Sequence, residues 1–323
     1  MTTRVCARAF ANIALVKYWG KKAITGNIPA TPSISLALKA LQTITTVERI
    51  SSRKDRFAIN GSRADDEASS RIKGYLDYWR SAGLIDGHFA INSKNDFPTA
   101  AGLASSSSGF AALATALSEF AVRRPGMTAI SRLARIGSGS AARSVVGGLA
   151  AMPIEANPFA RSIMAAADIP YGMVIIEVDD ATKPVGSRQA MEHCRKTSPF
   201  YKNWLKKAAR DYRQMLQAIE KDDFELIGDI MENNALAMHA CIMSSRPAIL
   251  YWRPATLRIL EFVKKWRSLG LQTYATIDAG PNVILLGRLD DLNKIAFKAR
   301  RIEGVRKVIE SEAGGKAEII EWK

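Results

Sequence analysis

Four stretches of this chain carry side chains whose types and spacing could do chemistry on an anion. Ser105, Ser106 and Ser107 follow Gly102-Leu103-Ala104 just ahead of the apolar run Phe110 to Phe120. Backbone N–H groups and hydroxyls gathered at a helix N-terminus receive anions, phosphate above all. A Ser-rich turn also serves as a plain cap. The string is neither the P-loop pattern, since no Gly-Lys-Ser/Thr follows, nor the dinucleotide fingerprint. A second Gly/Ser turn, Gly137-Ser138-Gly139-Ser140, opens a helix with Arg143 on its first turns. Arginine is shaped for bidentate contact with phosphate or carboxylate, although the same block reads alone as a capped helix with a surface arginine. Asp278 ends an apolar strand before the turn Ala279-Gly280-Pro281, a place for a base or metal contact or for a bare turn. Lys17, Lys21 and Lys22 surround Tyr18, Trp19 and Gly20, either as cations at a site or as a solvated turn beside core aromatics.

Elements that would position these groups follow from periodicity. Val5 to Val16 reads as an early strand, Ile34 to Leu38 and Thr43 to Ile50 as two half-buried strands, and Asp65 to Ala82 as a helix stopping near Gly83. Phe89 to Ser93 is a strand leading to the Ser loop, and Met127 to Ile136 a short helix capped by Thr128. Gly172 to Val178 is a buried strand. The polar, Pro- and Gly-bearing Thr182 to Gly186 is the best linker, which predicts one domain over residues 1–185 and a second over 186–323. Beyond it, Ser187 to Arg195, Pro199 to Lys221, Asp223 to Ser244 and Pro254 to Leu269 read as helices, and residues 273–309 as a small strand and helix alternation. Arg188 and Met191, at i and i+3, share a helix face and so could line one cleft. His239, in a mostly apolar helix, reads as a core histidine. The pattern as a whole predicts an α+β protein.

Composition bounds the possibilities. The 323 residues give room for two domains, and 47% of them are hydrophobic in stretches broken by charge, as in globular proteins. Nothing reads as a bilayer-crossing segment or a secretory signal, which predicts a cytoplasmic protein without a membrane partner. Three scattered cysteines and three histidines suggest neither a disulfide framework nor a metal site. A formal charge of +15 attracts anions, and its basic residues are dispersed over amphipathic helices such as that of Lys206, Lys207, Arg210 and Arg213.

The strings themselves resemble a known family. Pro98-x-x-x-Gly102-Leu103-x-Ser105-Ser106 is similar to the phosphate loop of the superfamily of galactokinase, homoserine kinase, mevalonate kinase and phosphomevalonate kinase, the GHMP kinases. Asn12-Ile13-Ala14-x-x-Lys17-Tyr18-Trp19-Gly20-Lys21, Phe97 to Ser106, Gly137 to Ser144 and Asp278 to Asn282 resemble, in order, blocks of its diphosphomevalonate decarboxylase branch. The resemblance implies a two-domain GHMP kinase fold, with an N-terminal domain like domain 2 of ribosomal protein S5 and a ferredoxin-like C-terminal domain. It implies ATP-dependent decarboxylation of mevalonate 5-diphosphate to isopentenyl diphosphate through phosphorylation of the C3 hydroxyl. Asp278, Lys17 and Arg143 would be catalytic. Ser93, Gly102, Leu103, Ala104, Ser105, Ser106 and Ser107 would bind ATP. Tyr18, Lys21, Ser138, Gly139, Ser140, Arg143, Ser187, Arg188, Met191 and Ala279 would bind the phosphorylated substrate. Mg2+ would arrive with ATP, touching Ser106 and Asp278 without a dedicated cage. A homodimer is an option that relatives often take.

Three departures keep alternatives open. Thr31-Pro32-Ser33 stands where the family usually has Asn-Ser-Ser or Asn-Asn-Ser, Leu149 to Met152 replaces aromatic and acidic residues after Gly147-Gly148, and Ser107 stands where Ala is common. An enzyme acting on mevalonate 5-phosphate or another 3-hydroxy acid, or a kinase that stops after phosphorylation, fits the same motifs. A nucleic-acid-binding module fits the net charge, but aromatic interleaving among the basic groups is sparse, and no nucleic acid partner is expected.

Overall fold

Apolar side chains on both faces of the first strand decide where the remaining layers pack. The computed structural model describes residues 3–23, 25–97, 105–178 and 185–322. In chain order, β1 (Arg4–Val16) is followed by the small hairpin β2 (Lys21–Ala23) and β3 (Ile28–Pro29), then by β4 (Ser33–Ile50), β5 (Arg56–Ile59) and β6 (Ser62–Arg63). Next come α1 (Asp66–Ser81), β7 (His88–Asn95), α2 (Ser105–Leu117), α3 (Met127–Gly137), α4 (Ala141–Val146), β8 (Leu149–Met152) and β9 (Arg161–Met164). The second half holds β10 (Tyr171–Glu177), α5 (Ser187–Thr197), α6 (Tyr201–Glu220), α7 (Phe224–Met243), α8 (Pro254–Ser268), β11 (Thr273–Ile277), β12 (Val283–Arg288), α9 (Leu292–Ala299), β13 (Lys307–Ser311) and β14 (Glu318–Trp322).

β1 and β4 pair antiparallel along nearly their whole length, with Val5 opposite Val47 and Ile13 opposite Leu36. The two strands expected at Ile34 to Leu38 and Thr43 to Ile50 are therefore one 18-residue strand. The register shifts between Phe10 and Asn12, where Leu38 to Leu41 of β4 have no ladder partner on β1 and the pairing resumes at Gln42. β7, β5 and β6 extend this sheet on one side, β8 and β9 pair beside the first half of β4, and β14 returns to pair with β1. β11, β12, β10 and β13 form a separate antiparallel sheet. The chain thus enters the second sheet at Tyr171, upstream of the division expected at residue 185, because β10 finds its hydrogen-bond partners in β12 and β13. The last strand crosses back, so the first sheet is built from both ends of the sequence.

Helix α2 is buried on every face from Phe110 to Leu117, with four alanines that let it lie close to β1 and β4. One buried cluster joins it to Val5, Ala7 and Ala9 of β1 and to Tyr75, Leu76 and Trp79 of α1. The alternate half of β1 faces elsewhere: Ile13 and Leu15 pack with Met215 of α6, Met231 of α7 and Met173, Ile175 and Ile284 of the second sheet. Val174, Ile176 and Val283, on the opposite face of that sheet, pack against Ile259 and Val263 of α8 and Ile295 of α9. The period-two alternation of β10 thus places the second sheet between α6–α7 and α8–α9. α7 contacts both β1 and β11 and bridges the two sheets.

One local expectation changes. α3 starts after Gly126, whose extended backbone is the N-cap, and not from a Thr128 cap; no side chain caps it. α1 is capped by Asp65, whose carboxylate accepts from the Ala68 N–H at 2.7 Å. At its far end α3 meets α2 at Gly137, where an added Cβ would lie 2.1 Å from the Phe110 ring. We expect Gly137→Ala to lose about 1–3 kcal/mol in chemical denaturation, because the ring must leave its place against Tyr75. A denaturation midpoint equal to that of the parent would contradict this packing.

Candidate active site

Lys17 stands one residue beyond the last paired residue of β1, and Asp278 one residue beyond the end of β11. Their side chains meet: Lys17 Nζ lies 2.5 Å from Asp278 Oδ1. The Lys17 side chain is 2% exposed and that of Asp278 is 24% exposed, so the ammonium is sealed below while the carboxylate reaches a cavity. Burial pulls the Lys17 pKa below the usual lysine value, and the Asp278 charge opposes that shift. Asn234 accepts from the Lys17 N–H at 2.8 Å, and the Thr31 hydroxyl donates to its carbonyl at 3.3 Å.

The cavity, of about 800 Å³, opens around this pair. Its wall takes Tyr18 and Trp19 from the segment after β1, Lys21 from β2, Ser105 and Ser106 from the start of α2, and Ser138, Gly139 and Ser140 from the turn between α3 and α4. Ser187, Arg188 and Met191 come from the first turns of α5, and Met238 from α7. Arg143, Asp278 and Ala279 also line it. Most of the residues singled out from sequence thus converge on one volume, although they are scattered from position 17 to position 279. Gly139 is required by the closeness of Tyr18: an added Cβ would sit 2.4 Å from its hydroxyl oxygen.

Not all of them converge. Ser107 is fully buried and turned toward the sheet, where its Oγ accepts from the Asn12 N–H at 3.4 Å. It anchors α2 and does not line the cavity, since in a helix only one side of the Ser row can face outward. Ser93, on β7, exchanges a hydrogen bond with Thr45 Oγ1 at 2.9 Å and is likewise absent from the wall. Gly102, Leu103 and Ala104 lie outside the described residues. The reading of Arg143 as a surface arginine also fails, because the residue is 2% exposed. Its Nε donates to Ser35 Oγ at 2.7 Å, Nη1 to Ser33 Oγ at 2.5 Å and Nη2 to Asn12 Oδ1 at 3.3 Å. Each partner is neutral, and burial lowers its pKa to about 10. The guanidinium is aimed by hydroxyls without being neutralised by them.

Several lining residues escaped the sequence reading. Asn27 has φ 52 and donates from Nδ2 to the Arg135 and Ile136 carbonyls at 3.0 and 2.7 Å. Its Oδ1 accepts from Lys21 Nζ at 2.7 Å, and its carbonyl accepts from the Tyr18 hydroxyl at 3.1 Å. Nothing local in the sequence marks this junction. Glu67, Ser70 and Arg71 also line the wall from α1, and their i, i+3, i+4 spacing is a helix-face signal that was available. Arg71 lies over the Phe110 ring at 5.4 Å. Among the described residues, five basic side chains (Lys17, Lys21, Arg71, Arg143, Arg188) face two acidic ones (Glu67, Asp278) around the cavity. Lys21 is lowered to about 8, first by burial and then by the Arg188 and Arg71 charges.

No group of three or more His, Cys, Asp or Glu residues able to hold a metal occurs among the described residues. No described helix is long and apolar enough to cross a membrane.

Comparison with known proteins identifies the family. A diphosphomevalonate decarboxylase-like N-terminal domain model matches residues 9–163, and a mevalonate 5-diphosphate decarboxylase C-terminal domain model matches 173–316. The chain belongs to the diphosphomevalonate decarboxylase family. Diphosphomevalonate decarboxylase of Bos taurus is 32% identical over 315 residues, covering 89% of this chain and 77% of its own. The solved mevalonate diphosphate decarboxylase of Staphylococcus aureus is 35% identical with a TM-score of 0.93, covering 99% of each chain. A structure described as MDDEF in complex with MVAPP, AMPPCP and magnesium is 35% identical with a TM-score of 0.91, covering 99% of this chain and 100% of the other. The expected two-domain GHMP-type α+β fold is therefore the fold of this family member.

The depressed Lys21 value sets a pH dependence. Above pH 8 the side chain loses its charge, so anions held there weaken as pH rises through that value. Using inorganic pyrophosphate as probe, we expect the affinity ratio of the parent to Lys21→Gln to fall toward one between pH 7 and pH 9. A ratio independent of pH in calorimetric titrations would contradict it.

Proposed function

We propose that this protein catalyses the ATP-dependent decarboxylation of mevalonate 5-diphosphate to isopentenyl diphosphate. The observation that carries the reading is the Asp278 carboxylate, held by Lys17 at 2.5 Å at the edge of a cavity with excess positive charge. A tertiary alcohol placed there meets an acceptor for its proton, and its anionic ends meet arginine and lysine. ATP and Mg2+ fit the opposite wall: Ser105 and Ser106 begin a 13-residue helix with no acidic residue in its first turn. Ser106 Oγ lies 3.2 Å from Ser138 Oγ, which ties the start of α2 to the turn before α4.

When bound, ATP supplies the phosphoryl group that makes the C3 oxygen a leaving group, with Mg2+ balancing its phosphates. Asp278 orients the C3 hydroxyl and takes its proton as the oxygen acquires phosphate. Lys17 fixes the carboxylate and offers positive charge to the transferred group. Arg143, aimed by Ser33, Ser35 and Asn12, holds the substrate carboxylate. The bond from that carboxylate to C2 then breaks, its electron pair forms the double bond between C2 and C3, and the C3–O bond breaks to release phosphate with carbon dioxide. Tyr18, Lys21, Ser138, Gly139, Ser140, Ser187, Arg188, Met191 and Ala279 hold the rest of the substrate, with Arg71 beside Lys21 and Arg188 at the diphosphate. Because these cations are fixed before substrate arrives, they stabilise developing charge without reorganising.

Asp278→Asn keeps the shape of the side chain and removes its basicity. We expect carbon dioxide release from mevalonate 5-diphosphate and ATP to fall at least about 100-fold, with ATP affinity within about threefold of the parent. Retained turnover would remove Asp278 from the mechanism. ADP formed without carbon dioxide by the parent enzyme would instead identify a kinase, and turnover of the 5-monophosphate in preference to the 5-diphosphate would reassign the substrate.

A further inference from the structure

Helix α7 makes two polar contacts that the chemistry above does not use, and both end on the ion pair. Asn234 is fully buried, and its Oδ1 accepts from the Lys17 backbone N–H at 2.8 Å. Its Nδ2 donates to Asp211 Oδ2 of α6 at 2.8 Å, and that oxygen also accepts from Lys207 Nζ at 2.7 Å. The amide can point one way, since a flip would set donor against the Lys17 N–H and acceptor against the Asp211 carboxylate. Five residues on, His239 is 1% exposed and its Nε2 lies 3.1 Å from the Asp278 carbonyl oxygen. Burial drops its pKa to about 4, so the ring is neutral at pH 7 and Nε2–H donates to that carbonyl.

Lys17 sits just past the β1 ladder, so its N–H has lost the strand partner that Val16 still has in Ile34. A buried N–H there needs an acceptor. The surroundings are otherwise apolar, with Met215, Met231, Ala235 and Met238 nearby on α6 and α7, and burying an amide and a carboxylate among them is costly without complete pairing.

We propose that Asn234 and His239 are positioning residues: from one helix they fix the backbones of Lys17 and Asp278, and so set the distance between an ammonium from one sheet and a carboxylate from the other. Asp211 orients Asn234. The proposal rests on the functional reading of Lys17 and Asp278 and extends it to side chains that touch neither substrate nor nucleotide.

The pairing logic supplies its own rescue. Asn234→Asp sets two carboxylates together in the interior, whereas Asn234→Asp combined with Asp211→Asn restores the acceptor for the Lys17 N–H and the hydrogen bond between positions 211 and 234 with its polarity reversed, at the cost of the oxygen that accepts from the partly exposed Lys207. For folded Asn234→Asp and Asn234→Leu enzymes we expect kcat to fall roughly tenfold to 100-fold, with KM for ATP within about twofold. The double variant should recover to within about threefold of the parent. His239→Gln, which carries an amide N–H to the same carbonyl, should retain more kcat than His239→Leu. An unchanged kcat beside a lowered melting temperature would reduce both residues to structural roles and overturn the proposal, as would a double variant no better than the single. A crystal structure of Asn234→Leu tests the geometry without turnover: a Lys17–Asp278 separation still at 2.5 Å overturns positioning, while a parent enzyme that releases no carbon dioxide overturns the functional reading.

Discussion

An ammonium and a carboxylate 2.5 Å apart, contributed by two different sheets, are the constraint on which this structure turns. Neither sheet could place the pair alone. β1 delivers Lys17 and β11 delivers Asp278, so their separation depends on how the sheets sit relative to one another. Ile13 and Leu15 on one side and Met173, Ile175 and Ile284 on the other are locked through the side chains of α6 and α7. Interiors at that packing density transmit small shifts instead of absorbing them. The apolar cluster below the site therefore governs an electrostatic distance above it, and the crossing of β14 back to β1 ties the ends of the chain into the same frame.

Charge around the cavity follows a second rule. An arginine buried to 2% exposure with three neutral acceptors is costly until an anion arrives. Lys21 shows the same tension, since burial and two neighbouring guanidinium groups work against its proton. Asp278 offsets the charge of Lys17 and Glu67 that of Arg71, which leaves Lys21, Arg143 and Arg188 to be balanced by a ligand. Holding them in place before binding makes the site selective for a molecule with several negative charges. The same preorganisation explains why a strongly basic composition is compatible with a small-molecule enzyme.

Residues that announce themselves by type and local spacing were legible in the sequence. The Ser loop, the Gly137 to Arg143 turn, the Lys17 to Lys21 string and Asp278 were all visible, and periodicity drew α1, α6, α7 and α8 to within a few residues. What stayed hidden depends on contacts far along the chain. That Ser107 faces Asn12 while Ser106 faces the cavity is set by the rotation of α2 on β1. That Arg143 is buried follows from Ser33 and Ser35 more than 100 residues earlier. β14 and the short strands β5, β6, β8 and β9 carry weak patterns and exist because an edge is there to pair with. Asn27 and Asn234 were invisible for the same reason, since a buried amide is defined by its partners.

Thr31, which stands where the resemblance leads one to expect Asn, also becomes intelligible through geometry. The groups around it call for one acceptor and one donor. Thr31 Oγ1 accepts from the Trp19 N–H at 3.2 Å while donating to the Lys17 carbonyl, and Ser33 Oγ accepts a hydrogen bond from Arg143 Nη1. A single hydroxyl at position 31 serves both tasks, while Ser33, which the family pattern also carries, leaves the guanidinium wrapped by the start of β4. Thr31 thus keeps Lys17 in place through its surroundings. A site whose charged members are held this way tolerates change in the residues around it so long as each donor still finds an acceptor, and Thr31, which supports Lys17 from outside the cavity wall, leaves the arrangement at its centre unbroken.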